Sequence, residues 1–202
     1  MKFAVRRAVD VTVAVVALVV LSPVFVVLGA AVFLGSGRPI FYGGIRVGRN
    51  ERHFRMWKFR TMVNNADRTG SVSGPNDQRV TRIGRFLRRT KLDEIAQFAN
   101  LLVGDLTLVG PRPEVPEMIA RYTESQRKVL QFTPGITAPG EIYFTRVQEP
   151  SIPADVDPEQ YFLEMLLDPK IAIDSEYFSA QTWRSDLGVL RDTVSLMFER
   201  IF

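Results

Sequence analysis

"VTVAVVALVVLSPVFVVLGAAVFL", residues 11–34, runs for 24 residues without a charge. As a helix it would reach roughly 36 Å at about 1.5 Å per residue, enough for the hydrocarbon core of a bilayer, so it is expected to enter a membrane. Lys2, Arg6 and Arg7 precede the run, and Arg38, Arg46, Arg49, Arg52 and Arg55 follow it. Cytoplasmic flanks collect lysine and arginine, and a single straight crossing cannot leave both ends on that side. Halfway along lies Ser22-Pro23. Pro23 has no N–H and its ring opposes the carbonyl four residues back, which kinks a helix, and the Ser22 hydroxyl offers a replacement donor. The expectation is a re-entrant helix-break-helix in residues 1–37, followed by a compact cytosolic domain in residues 38–202. A kinked single span is one alternative. A secretory signal is another, although its apolar core usually runs for only about 7 to 15 residues.

Outward from this run the composition becomes that of a water-exposed protein. With 202 residues, the chain suits one domain plus an accessory segment. A net charge of +4 favours anionic partners such as nucleotides or lipid headgroups. There is no cysteine and only one histidine, His53, which excludes disulfides and thiolate zinc sites and weighs against a Ser-His relay. Any metal would be held mainly by oxygen, as magnesium is.

The fold class expected is α+β, mostly helical, with short strands. Residues 39–62 alternate apolar and basic residues in short runs and read as strands and turns. Residues 64–79 are polar with Gly and Pro and read as a surface loop suited to an active-site flap. Arg82 to Leu102 is helical in pattern, with Leu92, Ile95, Ala99 and Leu102 on one face. Pro116 to Phe132 reads as a second helix with Met118, Ile119, Tyr122 and Val129 inward. "TPGITAPGEIYFTR", residues 133–146, returns to turn and strand, and a Pro-rich loop follows. From Asp186 to Phe202, Leu187, Leu190, Val194, Met197 and Ile201 form a stripe that either packs on the core or lies at a membrane interface.

Chemistry concentrates in "TKLDEIAQFANLLVGDLTLVGPRP", residues 90–113, where Asp93 and Glu94 stand side by side near a helix start. Thr90 can cap that start, and acids there are favoured by the helix dipole, so a structural role is open. Adjacent helical positions diverge by about 100°, so divided labour suits them better than a facing pair. Lys58 and Arg60 in "KFRTM", Arg85, Arg88 and Arg89 upstream, and Arg112 in "GPRP" with Pro111 supply cations that can hold phosphate oxygens. No glycine-rich nucleotide fingerprint and no G-x-S-x-G occurs.

The block "KFRTM … DQRVTRIGRFLRRTKLDEIAQFANLLVGDLTLVGPRPEVP … PGIT" resembles the bacterial sugar transferases, the monotopic phosphoglycosyl transferases. The likeness covers most of the chain, and its length is that of the small members. It implies transfer of a sugar 1-phosphate from a UDP-sugar to polyprenyl phosphate with release of UMP, at the cytoplasmic face of a bacterial inner membrane. It further implies that Asp93 is the nucleophile and Glu94 a ligand of Mg²⁺. Lys58, Arg88 and Arg112 match positions that handle phosphate and nucleotide, and Ser22 and Pro23 match the helix break. Membrane lipid is an expected partner, nucleic acid is not, and a homodimer is left open.

The likeness thins after "PGIT". Many relatives continue Gly-x-Ala-Gln-Val-Asn-Gly-Arg, whereas Arg146 here is displaced by one position, so it carries over only weakly as a substrate-binding residue. Asp174, in "IDSEYF", is either structural or part of the site. Two other functions compete: a membrane-surface lipid-phosphate phosphatase using the same aspartyl ester, and a non-catalytic protein that binds anionic lipid through its basic face.

Overall fold

The computed structural model describes residues 3–64, 66, 77–148, 151–153 and 155–201. Most of the expected 64–79 loop, including its reading as a flap, lies outside the described residues. The protein is mostly helical with two small two-stranded sheets.

Helix α1 (Phe3–Val20) and α2 (Ser22–Ser36) meet at a bend of 62°. Pro23 leaves the Val19 carbonyl without its helical donor, and the Ser22 hydroxyl donates to that oxygen at 2.7 Å. No single helix among the described residues is long and apolar enough to cross a membrane, but this bent pair is when taken together. Its outer face is apolar: Val16, Val19, Val20, Val26, Val27 and Leu34 are all exposed. Its inner face is built into the fold. Leu28 and Val32 pack with Phe59 and Leu87, and Asp10 on α1 accepts from the Thr107 hydroxyl at 2.8 Å and the Leu108 N–H at 3.1 Å.

The strands and turns expected over residues 39–62 form a hairpin, β1 (Phe41–Val47) antiparallel to β2 (His53–Phe59), with Tyr42 opposite Lys58 and Gly43 opposite Trp57. The fully buried Asn100 carboxamide accepts from the Trp57 N–H at 2.9 Å and donates to the Arg55 carbonyl at 2.7 Å. It thereby fastens the helical segment that follows onto β2.

That segment is not one helix from 82 to 102. Helix α3 (Arg82–Thr90) stops at Lys91, which adopts left-handed backbone (φ 57°, ψ 14°). A tight 3-10 turn over Leu92–Ala96 leads into α4 (Gln97–Val103). The break shifts the helical phase: Leu92 and Ile95 of the predicted stripe pack against the Leu28, Val32, Phe59 and Leu87 cluster, but beyond them Ala96, Gln97, Asn100 and Leu101 are the buried positions rather than Ala99 and Leu102. Thr90 caps nothing at the start of this turn; its hydroxyl donates back to the Phe86 carbonyl at 2.9 Å.

Strand β3 (Thr107–Val109) pairs in parallel with β4 (Gly135–Thr137) across a connection containing α5 (Pro116–Ala120) and α6 (Glu124–Arg127). The second predicted helix is therefore two. Thr123 restarts it with a capping box, its hydroxyl accepting from the Gln126 N–H while the Gln126 side chain accepts from the Thr123 N–H. Ile119, Tyr122 and Val129 are nonetheless buried together, as the apolar pattern indicated.

After β4 the chain turns helical rather than extended. Pro139 opens α7 (Pro139–Tyr143), which runs into a wider turn over Phe144–Gln148. Helices α8 (Pro158–Tyr161), α9 (Leu167–Ser179) and α10 (Trp183–Ile201) complete the chain. Helix α10 packs inward through Val189, Leu190 and Thr193 and leaves Trp183, Leu187, Val194, Met197 and Phe198 exposed. Four of the predicted stripe residues thus divide between two faces.

Candidate active site

A 3-10 turn has three residues per turn, so neighbours diverge by about 120°. Asp93 and Glu94 consequently enter different surroundings. Asp93 points inward and is 5% exposed, and its Oδ1 is buried without a hydrogen-bond partner. Burial pushes its carboxyl above the usual aspartate range, and the Glu94 charge adds to that; Lys58, Lys91 and Arg88 oppose it. A desolvated carboxylate with an unengaged oxygen, set among cations, has the chemistry to bind a proton or to attack an anionic electrophile.

Each cation has a local reason for its place. Lys58 projects from β2 beside Tyr42, its ammonium 5.5 Å from the ring centroid, and burial lowers its pKa against the pull of Asp93. Arg88 donates from Nε to the Thr61 hydroxyl at 2.9 Å. That contact depends on Gly84, where a Cβ would fall 1.9 Å from the Thr61 carbonyl oxygen. The glycine lets α3 lie directly on the "KFRTM" segment.

Glu94 faces the other way, 3.8 Å from Arg112 and 3.5 Å from Lys91, and accepts from Gln97 at 3.2 Å. Burial would raise its pKa, but Arg112, Lys91 and the Gln97 bond outweigh that and hold it ionised. Arg112 is delivered by the crossing of "GPRP" and "PGIT": the Gly135 N–H donates to the Pro111 carbonyl at 3.0 Å, and a Cβ on Gly135 would fall 2.1 Å from the Gly110 nitrogen. Pro111 thus serves through its backbone.

Behind Arg112 stands a layer the motif reading missed. Arg112 Nε is 3.4 Å from Glu141 on α7, and Glu141 is 3.0 Å from Lys170 on α9, which also lies 3.4 Å from Glu114. Burial works against the Glu141 charge, yet Lys170 and Arg112 hold its pKa down at about 2. One turn after Lys170, Asp174 accepts from the Gly140 N–H at 2.7 Å and so fixes the start of α7. Burial pushes Asp174 up to about 6 despite that bond and Lys170. Two signals in the sequence pointed here: Lys170 and Asp174 share one helix face at a spacing of four, and Glu141 follows a helix-opening proline.

Two predicted site residues are elsewhere. Arg60 is buried and spends its guanidinium on the Asn64 side chain and the Ser36 and Gly37 carbonyls, closing the C-terminal end of α2. Arg146 turns to Glu199 on α10 at 2.8 Å. It is Thr145, one residue earlier, that lines the cavity beside Glu94 and Arg112.

No three His, Cys, Asp or Glu side chains converge among the described residues, so they build no all-protein metal cage. Magnesium keeps several waters and needs only one or two carboxylates when substrate phosphates complete its shell, a demand Glu94 fits. The larger cavity, about 450 Å³, lies between α1, α4 and β3 and is lined by none of these residues.

The model of the bacterial sugar transferases matches residues 1–200. The chain belongs to that family. Among its relatives is the exopolysaccharide production protein ExoY of Sinorhizobium fredii, 36% identical over 165 residues that cover 70% of this chain and 73% of the relative. The undecaprenyl-phosphate galactose phosphotransferase of Salmonella typhimurium is 31% identical over 211 residues, covering 96% of this chain but 40% of the relative. The UDP-glucose:undecaprenyl-phosphate glucose-1-phosphate transferase of Escherichia coli is 37% identical over 145 residues, covering 68% of this chain and 30% of the relative. The chain thus spans less than half the length of these last two sugar transferases.

Proposed function

We propose that this sugar transferase moves a sugar 1-phosphate from a UDP-sugar to undecaprenyl or a similar polyprenyl phosphate in two displacements at Asp93. The observation that carries the proposal is the buried Asp93 carboxylate with its unengaged oxygen, next to Lys58 and Arg88, while Glu94 is separately ionised against Arg112. The names of the Salmonella and Escherichia relatives support the acceptor and the kind of group moved.

In the first step an Asp93 oxygen attacks the sugar-bearing β-phosphorus, and the bond from that phosphorus to the bridging oxygen breaks. UMP leaves with the electron pair, and the enzyme carries a phosphosugar acyl phosphate. In the second step a phosphate oxygen of the acceptor attacks the same phosphorus and the Asp93–phosphorus bond breaks, restoring the carboxylate. Lys58, Arg88 and Arg112 hold the non-bridging oxygens as charge shifts. Glu94 is the residue that would hold Mg²⁺, which when bound withdraws charge from the diphosphate. A carboxylate nucleophile lets two bulky anions use one set of cations in turn.

The α1–α2 pair is read as the re-entrant anchor, residues 1–37, that keeps the site at the cytoplasmic membrane surface where the acceptor headgroup lies. The test is intact-mass analysis of the full chain with Mg²⁺ and a panel of UDP-sugars without acceptor. A phosphosugar-sized gain on the wild type and none on Asp93→Asn supports the mechanism. UMP release that needs acceptor, with no mass gain for any donor, replaces it with direct transfer.

A further inference from the structure

A cavity of about 210 Å³ opens beside Glu94 and Arg112, between the 3-10 turn, β4, α7 and α10. Its apolar walls are Ile95, Phe98, Ile136, Ile142, Leu196 and Met197, and threonines and the carboxylates of Glu94 and Glu141 complete the lining. Two of the lining hydroxyls are spent on the protein: Thr193 donates to the Val189 carbonyl at 2.8 Å, leaving Thr137 to donate to Thr193 at 2.6 Å.

Arg89, Lys91 and Arg112 line the cavity together with Glu94 and Glu141, which pair with Lys91 and Arg112 and leave a net positive charge there. Arg89 is exposed and has no hydrogen bond or ion pair among the described residues. The cavity reaches the surface at Met197, which is 42% exposed and continues into the exposed Val194 and Phe198 on α10. A net positive charge, apolar walls, and an apolar track leading outward match an amphiphile with a phosphate head and a branched hydrocarbon tail. A sugar or a base buried against the Ile95, Phe98, Ile136 and Leu196 side of the cavity would leave hydroxyls or ring nitrogens unpaired there, a desolvation cost the tail does not carry.

We infer that this cavity seats the first isoprene units of the polyprenyl phosphate acceptor, with its phosphate turned to Arg112 and Arg89 and the remaining tail leaving along α10. The inference rests on the acceptor named above.

The test is photo-capture of a benzophenone-bearing short prenyl phosphate by the full chain in detergent, followed by peptide mapping, for the wild type, Leu196→Trp and, independently, Met197→Asp. Circular dichroism confirms that each variant is folded. The expected result is label within residues 136–145 and 193–198, displaced by unlabelled polyprenyl phosphate but not by inorganic phosphate, and roughly tenfold weaker in both variants. Label confined to α1 and α2, or capture equal in all three proteins, overturns the inference. So does loss of phosphosugar adduct formation in step with capture, since that assigns the cavity to the donor. If no donor forms an adduct on the wild type yet capture maps as expected, the two-step mechanism fails and the cavity assignment stands.

Discussion

Lys170 on α9 holds Glu141 on α7 at 3.0 Å from a side chain only 7% exposed. Burial disfavours its charge, but Glu141 and Glu114 more than compensate and keep it protonated. Lys170→Met would leave the buried Glu141 carboxylate with Arg112 as its remaining ion-pair partner and take from Glu114 the cation 3.4 Å away. Breaking a buried pair by removing one partner costs about 3 kcal/mol or more. Denaturant unfolding should show that loss, and the double variant Lys170→Met with Glu141→Gln should recover part of it, because both buried charges are then gone.

Asp93 predicts the opposite balance. Its carboxyl is raised above the ordinary range by burial, so its charge destabilises the folded state, and that cost grows as pH rises through the unfolded-state pKa. Asp93→Asn should therefore form no phosphosugar adduct and still unfold at a denaturant concentration no lower than that of the wild type. The same shift places the acid limb of wild-type adduct formation above the range of a free aspartate, which a pH-rate profile would read.

Asp174 gives a pH dependence of stability with a defined window. Its folded pKa is about 6, against an unfolded value of about 4. The folded state then binds more protons between those values, so this residue makes stability fall as pH rises from about 4 to 6 and adds no further slope above. Asp174→Asn keeps an acceptor for the Gly140 N–H and should flatten that segment of the stability profile.

Two glycines should respond in opposite senses to alanine. At Gly84 the added carbon would strike the Thr61 carbonyl, and α3 would have to lift from the segment that orients Arg88; a loss of about 3 kcal/mol and slower adduct formation are expected. At Gly188 in α10 the added carbon meets nothing within 4 Å, and the gain in helix propensity should stabilise by up to about 1 kcal/mol. Thermal unfolding of the pair separates the two cases.

What the sequence disclosed follows from how locally each feature is encoded. The Ser22-Pro23 break and the strands and turns of residues 39–62 depend on neighbours in the chain and could be read directly, although the pairing of β1 with β2 was not read. The capping box at Thr123 was also written locally, as "TESQ", but the apolar spacing across it masked the restart. The break at Lys91 had no such sign, since lysine seldom adopts a left-handed backbone and no glycine or proline marks the spot. Arg60 and Arg146 show the limit of listing cations by motif, because each found a nearer acceptor within the protein. For α10, periodicity showed an apolar stripe but could not say which of two apolar faces the core would take.

The left-handed Lys91 also makes the segment's length as informative as its composition. It lets α3 and α4 end and begin at unrelated rotations, with the five residues between them setting the angle at which the two carboxylates leave the chain. A substitution within those five alters one side chain, whereas a single-residue insertion or deletion would rotate Asp93 and Glu94 by a third of a turn and take both carboxylates out of their own surroundings. Natural variants and engineered chimaeras of this protein should therefore tolerate apolar exchanges at Leu92, Ile95 and Ala96 far better than changes of count.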